Sequence, residues 1–151
     1  MHPGMTAETQ TFGANQTDAG AIDTWIEQVG RQWDDSPGTV FAARLCVAEL
    51  ANNVIEHGTP RSKDDHIVVT LTRCSDGIGI EFMDTRGQFD PTIEHAELSQ
   101  AASAYEGGRG LMLIRSYAKD LAYRHDGRYN RVSLKIEGPH SDPGSVSAEA
   151  H

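Results

Sequence analysis

Apolar and polar residues alternate along this chain with two different periods. Ile22, Trp25, Ile26 and Val29 recur at helical spacing and predict a first helix over residues 21–29. A longer helix is predicted over 40–57. There Val47, Leu50, Val54 and Ile55 occupy much of the circumference, so the helix should be largely buried. Ser36 is placed to cap it, Pro37 suits its first turn, and Gly58 should end it in the way a glycine commonly follows a helix. The β-branched run 66–72 predicts a strand that turns at Ser75-Asp76-Gly77 into a second strand over 78–83. Residues 121–125 and 131–136 predict a further hairpin joined across Asp126-Gly127. A short edge strand is expected over 9–13 and a third helix over 110–117. Residues 91–106 are rich in Ala, Ser and Glu and lack apolar periodicity, which points to a mobile functional segment, a lid, rather than a plain connection.

Composition narrows the class. With 151 residues and 38% hydrophobic content, the chain can build one domain around one core. The domain is expected over 8–137, with 1–7 and 138–151 as flexible tails. No run approaches the roughly 18 apolar residues of a membrane span, and Met1-His2-Pro3-Gly4-Met5 lacks the blocks of a signal peptide, so a cytoplasmic protein without a membrane partner is expected. Cys46 and Cys74 have neither metal-ligand nor CxxC spacing and should be reduced. A net charge of −9 argues against nonspecific binding to nucleic acid and in favour of protein or small-molecule partners.

Three stretches carry candidate chemistry. On the long helix, Glu49, Asn52, Asn53 and Glu56 fall within an arc of roughly 100°. Adjacent asparagines are poor helix formers, whereas a carboxylate and a carboxamide one turn apart are hard oxygen ligands suited to Mg²⁺. A solvated polar face is the alternative reading. The glycine cluster Glu106-Gly107-Gly108-Arg109-Gly110-Leu111 runs into an apolar helix start, a junction able to hold phosphate through backbone N–H groups. It is neither a P-loop nor a dinucleotide fingerprint, and a flexible loop is its bland alternative. Asp84 ends an apolar strand at a turn, where a carboxylate accepts but never donates hydrogen bonds. It suits an exocyclic amino group such as that of adenine; an Asx-turn is the alternative.

In this order the three elements resemble the Bergerat-type ATP-binding fold of the gyrase, histidine-kinase and MutL superfamily, and within it the anti-sigma-factor serine kinases of bacterial partner switching. The resemblance spans about residues 8–137 and rests on Glu49, Asn53 and His57 for the helix motif, Asp84 with Phe89-Asp90-Pro91 for the first glycine box, and Gly107 to Ile114 for the second. It implies an α/β two-layer sandwich (α+β), with a mixed, mostly antiparallel sheet covered on one face by helices. It implies a serine/threonine-protein kinase with ATP and Mg²⁺ as cofactors. Glu49 would be the general base and Asn53 the Mg²⁺ and phosphate ligand. Asp84 and Gly87 would lie on the adenine side, with Gly108, Arg109, Gly110 and Leu111 around the phosphates. His57 is read as structural. The implied partners are an anti-sigma-factor antagonist bearing the acceptor serine and a sequestered protein such as a sigma factor, with a homodimer possible. A histidine autokinase is not expected, because a phosphoacceptor domain does not fit this length. A noncatalytic binding module of the same fold is the alternative, and a simple ATPase ranks last.

The first box departs from the family's Asp-x-Gly. It reads Asp84-Thr85-Arg86-Gly87-Gln88, with Arg86 at the position where glycine is expected. If that position needs positive φ or a close approach to adenine, Arg86 weakens nucleotide binding. Otherwise Gly87 restores the turn in a shifted register, and Arg86 points to solvent or to nucleotide.

Overall fold

The computed structural model describes residues 6–92 and 112–138. The chain runs β1 (Thr6–Gly13), α1 (Gln16–Gln32), α2 (Pro37–Asn52), a π-helical turn (Asn53–His57), β2 (His66–Cys74), β3 (Gly77–Asp84), β4 (Ala118–His125) and β5 (Asn130–Glu137). Residues 112–117, just before β4, are also helical.

The strands form one sheet in the order β1-β2-β3-β5-β4. The expected mostly antiparallel sheet with helices packed on it is observed, and every pairing among the described residues is antiparallel. The physical reason is connectivity: β2 and β3 are joined by a tight turn and β4 and β5 by a short loop, and such connections reverse the chain direction. β5 then enters the sheet between β3 and β4. β4 carries a bulge between Lys119 and Ala122, where Asp120 takes a left-handed conformation, φ 55°.

Strand period and helix period meet in one apolar cluster. Ile67, Val69 and Leu71 of β2, Ile78, Ile80 and Phe82 of β3, and Val132, Leu134 and Ile136 of β5 are buried on the helix-facing side. Register aligns them in rows: Val69–Phe82–Val132, then Leu71–Ile80–Leu134. Ile22, Ile26 and Val29 of α1 and Ala43, Cys46, Val47 and Leu50 of α2 close the cluster from above. The Cys46 thiol, buried in this layer, has its pKa pushed up to about 11 by desolvation and by the neighbouring Glu49.

Several boundaries differ from expectation. α1 and β1 are longer than their apolar spacing marks, and β1 starts at Thr6, which pairs with Arg73. Gly138, expected in the tail, donates its N–H to Asp76 O at 3.0 Å. Ser36 does cap α2, its Oγ accepting from Thr39 N at 3.4 Å, and Pro37 is the first helical residue. The expected single helix over 40–57 instead changes pitch: α-helix ends at Asn52, and Asn53–His57 form a π turn. Gly58 terminates it in an extended conformation, φ −67° and ψ 139°, not the left-handed one that usually favours glycine there. Glycine is needed for space: a Cβ at Gly58 would lie 2.5 Å from Val54 O and 3.0 Å from Arg86 Cγ. Most of the expected lid, 93–106, lies outside the described residues, as do Gly108, Arg109, Gly110 and Leu111.

Candidate functional site

Asp84 is the last residue of β3, and its parity places it on the core side of the sheet in the row Ile67–Asp84–Asn130. Register thus sets a carboxylate opposite a carboxamide at the end of the apolar rows. Both are buried, with 4% and 3% of their surfaces exposed. Asn130 Nδ2 donates to Asp84 Oδ1 at 3.0 Å, and Arg86 N donates to the same oxygen at 2.9 Å. Both bonds fall on Oδ1, leaving Oδ2 as the acceptor available to a ligand. Burial raises the Asp84 carboxyl above the usual carboxylate range, and the bonds from Asn130 and Arg86 only partly offset this.

Asn130 also shapes the loop after β3. Its amide protons are shared with Arg86 O and Gly87 O, each at 3.1 Å. Its Oδ1 accepts from Phe89 N at 3.1 Å and from Tyr123 Oη at 2.7 Å. One buried side chain therefore fixes the course of residues 84–89. Asn130 was not singled out from sequence, although the signal was there: a strand-disfavoured asparagine at the same parity as Val132, Leu134 and Ile136.

Across a cleft from Asp84 stands the end of α2. Leu50, Asn53, Val54 and Gly58 line one wall, and Phe82, Asp84, Arg86, Gly87, Phe89 and Asn130 lie around the rest. The cleft is an open depression with an empty volume of ≈ 370 Å³, open solvent at its mouth included. A flat apolar group can seat against Phe82 and Val132 while a polar edge meets Asp84. Asn53, half-buried, sits where α-helix gives way to the π turn, its N–H donating to Glu49 O and Leu50 O. Pitch changes of this kind recur at functional sites because they re-aim a side chain. Glu49 lies one turn earlier on the same helix, half-buried and outside the cleft lining. Asn52 and Glu56 are exposed.

The altered box is resolved in a way the sequence did not anticipate. Among the described residues, Arg86 is not one of those with positive φ, so its backbone conformation does not require glycine. Its guanidinium points neither to solvent nor into the cleft. Nη1 donates to Gly58 O at 3.1 Å and more distantly to Val54 O at 3.5 Å, and Nη2 donates to Ala14 O at 3.1 Å. Nε lies 3.1 Å from Asp65 Oδ2, a charge contact rather than an aligned hydrogen bond. Gly87 uses its N–H on Thr59 O at 2.9 Å, tying the box to the loop that follows the π turn.

Asp65 anchors this arrangement. Its Oδ2 accepts from Arg61 N at 2.9 Å and Ser62 N at 3.4 Å, and its Oδ1 from Thr85 Oγ1 at 3.0 Å. Burial alone would raise its pKa, but these bonds and the Arg86 charge outweigh burial and hold it below the ordinary value. No group of three or more His, Cys, Asp or Glu suited to a metal ion occurs among the described residues. Nor is any helix among them long and apolar enough to cross a membrane.

Residues 12–136 match the family model described as the histidine kinase-like ATPase domain. The chain is also similar to the serine/threonine-protein kinase BtrW of Bordetella bronchiseptica. The two are 26% identical over 145 residues, a span covering 93% of this chain and 100% of the relative.

Proposed function

The chain belongs to the histidine kinase-like ATPase family, and from that premise we propose that it is an ATP-dependent serine protein kinase of the anti-sigma type. It phosphorylates an anti-sigma-factor antagonist and sequesters a second protein such as a sigma factor. The observation that carries the nucleotide part is the buried Asp84, whose Oδ1 is fully engaged while Oδ2 remains an acceptor at the cleft. A buried acceptor of this kind selects a purine with an exocyclic amino group, because a carbonyl in that place would leave two acceptors facing each other. The similarity to a relative named as a serine/threonine-protein kinase supports protein phosphorylation as the reaction.

In this reading Asn53 offers its carboxamide oxygen to Mg²⁺ and the phosphates, and the ion supplies charge neutralisation where the phosphoryl group is transferred. Glu49 takes the proton from the acceptor serine hydroxyl. The serine Oγ–phosphorus bond forms as the bond from phosphorus to the ADP oxygen breaks, and ADP leaves. Gly108, Arg109, Gly110 and Leu111 are proposed to hold the phosphates and residues 91–106 to cover them; both assignments extend beyond the described residues. The domain is taken as about 8–137, with β1 reaching back to Thr6, and a cytoplasmic location with a possible homodimer completes the proposal.

Two measurements test it. Calorimetry of ATP binding with and without Mg²⁺, on wild type and on Asn53→Ala, is expected to show binding that needs Mg²⁺ and weakens in the variant. No binding by the folded wild type at millimolar ATP would overturn the nucleotide site. Transfer of labelled phosphate to a purified antagonist protein is expected from the wild type and lost in Glu49→Ala, with complex formation retained. Undiminished transfer by that variant would reject Glu49 as the base.

A further inference from the structure

Arg86 is bonded to both walls of the cleft at once. Its backbone N–H holds Asp84 Oδ1 at 2.9 Å. Its side chain reaches the carbonyls of Val54, within the π turn that begins at Asn53, and of Gly58, which follows that turn, and the carbonyl of Ala14 after β1. The stem lies against Gly58, where a Cβ would come within 3.0 Å of Arg86 Cγ. A guanidinium suits this place for two reasons. Its planar fork serves acceptors on separate segments at fixed angles, and a cation is favourable at a helix C-terminus, where carbonyls lack intrahelical partners. Asp65, itself held by Arg61 N, Ser62 N and Thr85 Oγ1, balances the charge beside it. The Arg86 side chain is only 13% exposed.

We infer that Arg86 is a positioning residue for nucleotide, setting the distance and angle between the purine acceptor Asp84 and the helix end that presents Asn53. This inference rests on the proposed ATP site and adds to it a residue whose guanidinium is engaged by the protein's own backbone carbonyls. Glycine at position 86 would leave the box and the helix end joined there mainly by the Gly87 N–H to Thr59 O bond. The two walls would then move independently, and both affinity and purine selectivity would fall together.

The test compares full-length wild type, Arg86→Ala and Arg86→Lys in two readouts. Calorimetry with Mg²⁺ measures ATP against inosine triphosphate, whose purine carries an oxo group in place of the amino group. Arg86→Ala is expected to bind ATP about tenfold or more weakly, the worth of one or two lost hydrogen bonds, and to discriminate less between the two purines. Arg86→Lys keeps the stem and the charge but not the fork, and is expected to fall between. A residue that merely stabilised the fold would lower the melting temperature without moving the ATP-to-inosine ratio of the folded protein. Amide hydrogen exchange without nucleotide is the second readout. Exchange at Gly58 and Gly87 is expected to accelerate in Arg86→Ala while β3 and β5 stay protected. A folded Arg86→Ala with wild-type affinity, selectivity and exchange overturns the inference. If wild type binds no ATP, the proposed function fails, and the exchange readout alone then decides whether Arg86 joins the two walls. If Arg86→Ala does not fold, Arg86→Lys carries both readouts.

Discussion

Asn130 and Asp65 are the two residues whose side chains organise the loops around the cleft, and each does so from a buried position with most of its hydrogen-bonding capacity used. Asn130→Ala leaves Arg86 O, Gly87 O, Phe89 N and one bond of Asp84 Oδ1 to find other partners. The expected cost is of order 1–3 kcal/mol in denaturant unfolding, with ATP affinity falling in calorimetry. The two buried carboxylates should respond to pH with opposite sign. Asp65 is held below its ordinary pKa. Its contribution to stability is therefore present above the unfolded value of about 3.9 and lost as pH falls through the lower folded value. Asp65→Asn should flatten the acid limb of a stability–pH profile. Asp84 is raised by burial. Its contribution is present below its unfolded pKa and lost as pH rises through the raised folded one. Asp84→Asn keeps an oxygen for Asn130 and Arg86 but removes the charge. It should leave the chain as stable as wild type or more so at neutral pH, while ATP affinity collapses. Lower stability together with unchanged affinity would show that Asp84 is a structural group. Asp84 was legible in the sequence because a carboxylate closing an apolar strand is conspicuous. Arg86 was visible only as a misfit, since the carbonyls it serves lie far from it in sequence at Ala14, Val54 and Gly58.

At the scale of elements, the junction of α2, π turn and extended Gly58 controls the site. Apolar spacing located the helix, but five residues are too short a window for that spacing to distinguish α from π pitch. The wider turn ends at Gly58, whose carbonyl, just past the last helical residue, accepts from Arg86 Nη1. Gly58→Ala would force a methyl to 2.5 Å from Val54 O and against the Arg86 stem. A destabilisation of about 1–3 kcal/mol is expected, the usual range for overpacking, read as a lower thermal midpoint. Hydrogen exchange should accelerate at the same time around residues 86–87. The strands were more legible than the helix end. Alternation marked β2, β3 and β5, and the turns marked which neighbours pair, whereas β4, with half of its positions exposed and a bulge at Asp120, shows weaker alternation.

The whole molecule is built on one apolar cluster shared by both helices and the sheet. A change in that cluster should therefore be felt everywhere at once. Phe82 is buried at 1% exposure in the central row, so Phe82→Ala should cost about 3–5 kcal/mol. Far-ultraviolet dichroism, reporting the backbone, and fluorescence of Trp33 and Trp25, which pack with the cluster, should lose their signals at one shifted midpoint. Separate midpoints would mean that the helical layer and the sheet unfold independently.

The sequence by itself determined the period of each element, the turns that pair β2 with β3 and β4 with β5, and the candidate residues Glu49, Asn53 and Asp84, since all of these depend on residues close together in the chain. Only the tertiary structure decided the insertion of β5 beside β3 and the meeting of Asp84 with Asn130 in one register row. It also decided the destination of the Arg86 guanidinium. These depend on contacts between segments dozens of residues apart. Local propensity carries no information about them, because the hydrogen bonds that fix them exist only once the core has brought the segments together.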